Sequence, residues 1–148
     1  MKVEIVPYEP AHAYALFDRQ VREADFMLSS VGDWEAAAKE WGRAGPAFTL
    51  LLDGEPEACG GIMMRDPGFG ECWLVVPRVN HGCTIYRNVL RKMHELLDVR
   101  KFRRLQAFVM ADFDNGVKLV QRLGFEKEGS LRQFGPGGET VDIYARVF

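Results

Sequence analysis

Between residues 71 and 110 the chain writes a strand, a long helix and a second strand in succession, and this order restricts its topology more than any other feature. Residues 71–76 (Glu71, Cys72, Trp73, Leu74, Val75, Val76) are almost continuously apolar. Such a run suits a central strand buried on both faces. Pro77 stops it. Over residues 84–99, Ile85, Val89, Leu90, Met93, Leu96 and Leu97 recur at three- and four-residue spacing, the stripe of a helix docked on a sheet. Leu105, Ala107 and Val109 then alternate along the next strand. A strand, helix and strand in this order need a crossover connection.

Shorter elements surround this unit. Residues 2–7 alternate as a strand, and Pro10 suits the first turn of a helix running to about Arg22, with Tyr14, Phe17 and Val21 at helical spacing. After a break at residues 29–32, Asp33 is placed to cap a second helix with Trp34, Ala37, Ala38 and Trp41 on one face. Residues 48–52 and about 57–64 read as strands joined at Asp53-Gly54, a strong two-residue hairpin signal. Gly60 and Gly61 mark a bulge or a close backbone approach, and Asp66-Pro67-Gly68 a turn. Residues 112–122 read as a short helix with Val117, Val120 and Leu123 facing inward, closed by Leu123-Gly124-Phe125. Residues 125–133 and 140–147 make a closing hairpin around the Gly/Pro turn at 135–138; as an edge the latter strand could pair with another chain, though no sequence pattern supports such pairing.

Composition sets outer bounds. At 148 residues the chain is expected to form one domain, spanning 1–148, with a real core. A net charge of -2, with no basic block, gives no reason to expect nucleic acid or an anionic membrane as partner. No apolar run approaches the roughly 18 residues that span a bilayer, and the N-terminus lacks the pattern of a signal peptide. The three cysteines, an odd number without C-x-x-C spacing, read as reduced thiols of a cytoplasmic protein. His12 and His94 have no matching ligands nearby, so no metal site is expected, and His81 reads as a loop histidine.

The strand at 104–110, the helix ending in Leu123-Gly124-Phe125 and the terminal hairpin together resemble the back half of the GNAT superfamily of N-acetyltransferases. The first half is compatible with that resemblance. It implies a single-domain α+β fold: a mixed, mostly antiparallel sheet of about seven strands flanked by about four helices. It also implies acetyl-CoA, or another acyl-CoA, as cofactor and an amine, small-molecule or protein, as acceptor. The segments 125–132 and 142–147 extend the resemblance to GNAT-related proteins of bacteriophage and prophage genomes, in which the glycine loop is often degenerate.

In that family the strand before the long helix splays from its neighbour, and the cofactor enters the gap. Its pantetheine arm would pair with the backbone of Leu74, Val75 and Val76, and its pyrophosphate would sit on the helix N-terminus near Gly82, Cys83 and Thr84. Arg78 and Arg87 would neutralise phosphate charge, and Asn115 or Asp114 would approach the pantetheine end. Each has a plainer reading: Thr84 as a helix cap, the arginines as solvated, Asn115 as a surface residue. The usual Arg/Gln-x-x-Gly-x-Gly/Ala loop is replaced by residues 77–84, in which only Gly82 is a glycine. The tyrosine often found five residues before the Phe of Leu-Gly-Phe is Val120 here, which cannot protonate a leaving thiolate, and the Asn often found near that helix's start aligns on Phe113.

Acetyl transfer needs a neutral amine, so a carboxylate near the gap is the natural base. Glu71, opening the central strand, and Asp112, ending the next, are the two candidates; each also reads as an ordinary strand-end or capping carboxylate. A backbone N–H of Val75 or Val76 would polarise the thioester oxygen. The resulting expectation is an acyl-CoA-dependent N-acetyltransferase working by direct attack. The alternative is a GNAT fold without turnover, serving as a CoA-binding or structural module. A third reading is an α+β binding domain unrelated to CoA.

Overall fold

Seven strands and four helices account for the regular structure of the computed structural model, which describes residues 2–17, 34–76, 83–135 and 137–148. In chain order they are β1 (Val3–Pro7), α1 (Pro10–Phe17), α2 (Trp34–Arg43), β2 (Ala47–Leu52), β3 (Glu55–Asp66), β4 (Phe69–Val75), α3 (Cys83–Val99), β5 (Arg104–Met110), α4 (Asp114–Arg122), β6 (Glu126–Leu131) and β7 (Val141–Val147). The proposed cap at Asp33 and the extension of the first helix to Arg22 lie outside the described residues.

The strands form one sheet in the order β1-β2-β3-β4-β5-β7-β6. Every neighbouring pair is antiparallel except β4 and β5, which are parallel and joined through α3. The β2–β3 hairpin turns on Asp53 (φ 49°) and Gly54 (φ 83°), two left-handed residues as a tight primed turn demands. β7 lies between β5 and β6, which corrects its expected place as an edge. The edge on that side is β6, whose Glu126, Lys127 and Glu128 are exposed charges of the kind that discourage further strand pairing.

Gly61 marks a close backbone approach: a Cβ there would collide with the Pro46 carbonyl and stand 2.8 Å from Ala47 Cα. The bulge expected at Gly60–Gly61 is absent, since Ala47 to Leu50 stay in continuous register with Gly61 to Ala58. The register of β3 breaks instead opposite Leu50/Leu51 and between Met64 and Asp66.

Strand alternation divides the core. On one face Ile62, Cys72, Leu105, Ala107 and Val109 pack against Ile85, Val89, Met93 and Leu97 of α3 and against Leu119, Val120 and Leu123 of α4. On the other face Cys59, Met63, Trp73 and Val75 pack under Ala13, Leu16, Ala37, Ala38 and Trp41. There Trp41 stacks on Trp73 with ring centroids 4.3 Å apart, and Tyr8 meets Trp73 edge-on at 5.3 Å.

α4 begins at Asp114, two residues later than its sequence suggests; Asp112 falls in the preceding turn, and Phe113 occupies the N-cap without a side-chain capping bond. Its C-terminus explains Leu123-Gly124-Phe125. Leu123 caps the helix, Gly124 turns left-handed (φ 87°), the Gly124 N–H donates to Gln121 and the Phe125 N–H donates to Val120. This is a Schellman ending, in which glycine avoids the Cβ penalty of the left-handed turn. Phe125, buried, then supplies the apolar contact that accompanies it.

Candidate active site at the parting of two parallel strands

β4 and β5 pair at only three positions, Phe69 with Arg104, Gly70 with Leu105 and Glu71 with Gln106. Both strands continue, β4 to Val75 and β5 to Met110. Along that stretch β4 stays in register with β3 as far as Val75, and β5 with β7 as far as Met110. The two halves of the sheet therefore diverge past Glu71. The β5-facing backbone groups of residues 72–75 are left without a ladder partner in β5. Buried N–H and C=O groups are almost always paired, so this edge is prepared to take a peptide-like ligand.

An apolar cavity of about 40 Å³ opens at the parting. Cys72, Trp73 and Leu74 line it from β4, Ala107, Phe108 and Val109 from β5, Met93 from α3, and Phe113, Gly116, Leu119, Val120 and Leu123 from α4. A void this size holds a few waters or a methyl-sized group, so a longer ligand would run along the strand edge with one end in the cavity. Gly116 leaves room for the Phe113 ring at the start of α4, which a Cβ there would strike, and such a Cβ would also stand 3.1 Å from Val109 Cγ1 of β5.

A polar chain crosses the sheet where the strands are still joined. The Gln106 side-chain amide donates to Glu71 Oε1 at 3.0 Å, and Arg65 Nη2 donates to Glu71 Oε2 at 2.8 Å. Arg104 donates to Gln106 Oε1 at 3.2 Å and grips both oxygens of Glu128 at 2.6 and 3.0 Å. The hydrogen bond from Arg104 holds the Glu128 carboxyl below its ordinary range, and Glu128 in turn raises the Arg104 guanidinium. Alternation places Glu71, Trp73 and Val75 of β4, and Arg104, Gln106 and Phe108 of β5, on the face opposite α3 and α4.

The residues named from sequence fall as follows. Glu71 stands at the apex of the parting, with its side chain 12% exposed. Leu74 is half-buried toward α3 and α4, Val75 is fully buried on the opposite face, and half-buried Val76 follows the end of β4. Cys83 is exposed as the first residue of α3. Thr84 follows, its carbonyl accepting the Asn88 side-chain amide at 2.8 Å. Arg87, on α3, and Asn115, second residue of α4, are exposed. Arg78 and Gly82, with His81 between them, lie outside the described residues.

The structure does not bring Glu71 and Asp112 together. Asp112 is exposed in the turn after β5, and from Gln106, beside Glu71, to Met110 alone is four residues, roughly 13 Å of strand. One amine cannot use both.

Two buried donors escaped the sequence reading. Among the described residues the Trp73 indole N–H and the Tyr86 hydroxyl, on α3, have no hydrogen-bond partner. Trp73 belongs to the core, yet it also lines the cavity. Tyr86 packs against the same core as Val120, and the Arg122 guanidinium lies 5.5 Å from its ring centre. No periodicity marks a donor as unpaired, so only the packed structure could reveal either. The unpaired strand edge and the apolar cavity fit the acyl and pantetheine portion of an acyl-CoA. Among the described residues no group of His, Cys, Asp and Glu is arranged to hold a metal ion, and no helix is long and apolar enough to cross a membrane.

No family model matches the sequence, and no curated protein matches it. Solved structures do resemble the fold. The ribosomal-protein-S18-alanine N-acetyltransferase from Escherichia coli superposes with a TM-score of 0.76 at 18% identity, covering 99% of this chain and 94% of that one. The ribosomal-protein-alanine N-acetyltransferase from Brucella melitensis gives 0.70 at 19%, covering 98% and 99%. yncA of Salmonella typhimurium, named as an acetyltransferase and solved with its cofactor acetyl-CoA, gives 0.73 at 11%, covering 98% and 93%. The chain is thus a single α+β unit whose fold is that of the GNAT acetyltransferases.

Proposed function

We propose that this chain binds an acyl-CoA between β4 and β5 and transfers the acyl group to an amine. The observation that carries the reading is the early parting of the parallel strands, which leaves one edge of β4 unpaired beside an apolar cavity. The shared fold supports it, and yncA, which has that fold, was solved with acetyl-CoA. When bound, the cofactor supplies an activated acyl carbonyl for the amine to attack.

In this reading the backbone of Leu74, Val75 and Val76 pairs with the amides of the arm. Gly82, Cys83 and Thr84 receive the pyrophosphate at the start of α3, where free N–H groups and the helix dipole favour an anion. Arg78 and Arg87 offset its charge, and Asn115 faces the pantetheine end. Glu71 takes the proton of the incoming ammonium, with Gln106 and Arg65 fixing the carboxylate. Asp112, at the far end of β5, is the second candidate base. The Trp73 indole N–H is a donor for a carbonyl oxygen, and the Tyr86 hydroxyl a proton source that Val120 is not.

A second reading, a CoA-binding or interaction module without turnover, is favoured by Val120 itself, a buried aliphatic residue lining the cavity at the position where related enzymes place a tyrosine. The resemblance to phage and prophage proteins belongs with that reading.

The test is thermal unfolding with acetyl-CoA and CoA, with ATP as control. Ligand at a hundredfold its Kd adds about 2.7 kcal/mol, a shift of several degrees for a domain of this size. A shift with acetyl-CoA and CoA but not ATP is expected; no shift with any of them refutes the cofactor site. Release of free CoA in the presence of amines then separates the enzyme from the silent module.

A further inference from the structure

We propose that Arg104 is a positioning residue of the reaction: anchored by Glu128 of β6, it holds the Gln106 amide in the direction that presents an N–H to the Glu71 carboxylate. The proposal rests on the acyltransfer reading above, in which Glu71 takes the proton of the acceptor. A glutamine amide has a donor end and an acceptor end, whereas a guanidinium only donates and an ionised carboxylate only accepts. Arg104 Nε and Nη2 each lie 3.2 Å from Gln106 Oε1. The amide nitrogen is thereby turned to Glu71 Oε1, at 3.0 Å. Reversed, the amide would set its NH2 against the guanidinium and its carbonyl against the carboxylate, and both contacts would repel. Arg104 thus decides, through Gln106, what Glu71 meets.

Arg104 is itself held on every side. Its backbone pairs with Phe69 of β4 and Val147 of β7, and its N–H donates to the Gly68 carbonyl at 3.1 Å. Its guanidinium grips the two Glu128 oxygens at 2.6 and 3.0 Å, a bidentate fork. Glu128 belongs to β6, so the pair reaches over β7, which lies between. The β6–β7 register shifts between Lys127 and Gly129, leaving Glu128 as the extra residue of a bulge. Bulges re-aim side chains, and this one supplies the carboxylate that Arg104 needs.

The other support of Glu71, Arg65, has a side chain 50% exposed, and an exposed ion pair orders its partners weakly. Gln106 is half-buried on a strand paired with β4 and β7, which makes it the firmer of the two. Firmness matters for a base. An N–H bond of the acceptor ammonium breaks, its proton passes to a Glu71 oxygen, and the freed lone pair attacks the acyl carbonyl. A misplacement of about 1 Å in such a geometry can cost about a hundredfold in rate.

The experiment measures acetyl-CoA-dependent thiol release with butylamine, putrescine and trialanine, and follows the Gln106 side-chain amide by heteronuclear NMR. Arg104→Met should lower kcat about ten- to a hundredfold, leaving KM for acetyl-CoA and the acetyl-CoA thermal shift unchanged. Arg104→Lys, which keeps a donor facing Gln106, should recover most of that loss. In a Glu71→Gln background Arg104→Met should cost no further activity, because both act on the same proton. The Gln106 amide proton bonded to Glu71 should lie downfield in the wild type and lose that shift in Arg104→Met. An equal loss of kcat with and without Glu71, an unchanged kcat, or unmoved Gln106 amide signals would each overturn the proposal. If Arg104→Met does not fold, Glu128→Gln loosens the guanidinium from an exposed position and must move the same signals in the same direction; unmoved signals there refute the proposal as well. Where acetyl-CoA stabilises the protein but none of the three amines releases thiol, the NMR result decides. If acetyl-CoA itself gives no shift, the acyltransfer reading falls and the positioning role with it.

Discussion

The Gln106 side-chain amide donates to Glu71 Oε1 at 3.0 Å across the last residue pair that joins β4 to β5. The bond sits where the sheet divides, and its second partner, Arg65, reaches Glu71 from the bulged end of β3. A carboxylate fixed by two donors at the apex of a parting is well placed to receive a proton and poorly placed to wander.

Glu71→Gln tests that role. The Arg65–Glu71 pair has one exposed partner, so its loss should cost no more than about 1 kcal/mol of stability. If Glu71 is the base, turnover should fall by roughly 10²–10⁴ while the thermal shift with acetyl-CoA is kept. Equal loss of both would give Glu71 a structural role, and full activity would move the base to Asp112 or to solvent.

The cysteines report on the cofactor site. Cys59 and Cys72 are buried, and burial pushes both thiols up to about 12. Cys83 is exposed at the start of α3. A maleimide should therefore label one thiol quickly in the native protein and all three in denaturant, read by mass spectrometry. Bound CoA should slow labelling of Cys83, and Gly82→Gln should weaken CoA binding about tenfold, or 1.4 kcal/mol. Labelling unaffected by CoA would mean the phosphates lie elsewhere.

Those buried thiols also carry a pH dependence. Their folded values lie above the ordinary 9.0, so the stability they contribute is complete below about pH 9 and is lost as pH rises toward 12. Glu128 has the opposite sign. Arg104 holds its carboxyl below the ordinary 4.5, so the stability it contributes is complete above that value and is lost as pH falls through the lowered one. Glu128→Gln should flatten the acid limb of a Tm-against-pH curve; an unchanged limb would show the pair to be solvated away.

Gly61→Ala probes the close approach of β3 to the start of β2. The new methyl would meet the Pro46 carbonyl and Ala47, and the backbone shift needed should cost about 1–3 kcal/mol by chemical denaturation. Gly129→Ala is the control, since its Cβ would meet only Ile143 Cγ2, at 3.9 Å, and it should change stability by less than about 0.5 kcal/mol. Equal effects would mean that no clash governs Gly61.

Much of the fold was legible in local chemistry. The apolar stripe from Ile85 to Leu97, the Asp53-Gly54 turn and the Leu123-Gly124-Phe125 ending each encode a geometry within a few residues, because helical period, left-handed φ and cap bonding are local properties. The apolar run at Cys72–Val75 likewise marked a central strand. Gly61 announced a close approach without naming Pro46 as its neighbour.

What the tertiary structure decided lies between segments distant in the chain. β7 slid between β5 and β6 and ceased to be an edge, because its partners are chosen by packing across the whole sheet. Asp112 and Glu71, plausible alternatives on paper, came to opposite ends of β5. The bonding of Glu71 to Gln106 and Arg65, the pairing of Phe108 with Phe134 and the unpartnered donors of Trp73 and Tyr86 exist only once strands and helices meet. Residue type and spacing determine what each segment can form, whereas long-range burial and pairing determine which side chains share a site and which polar groups go without a partner.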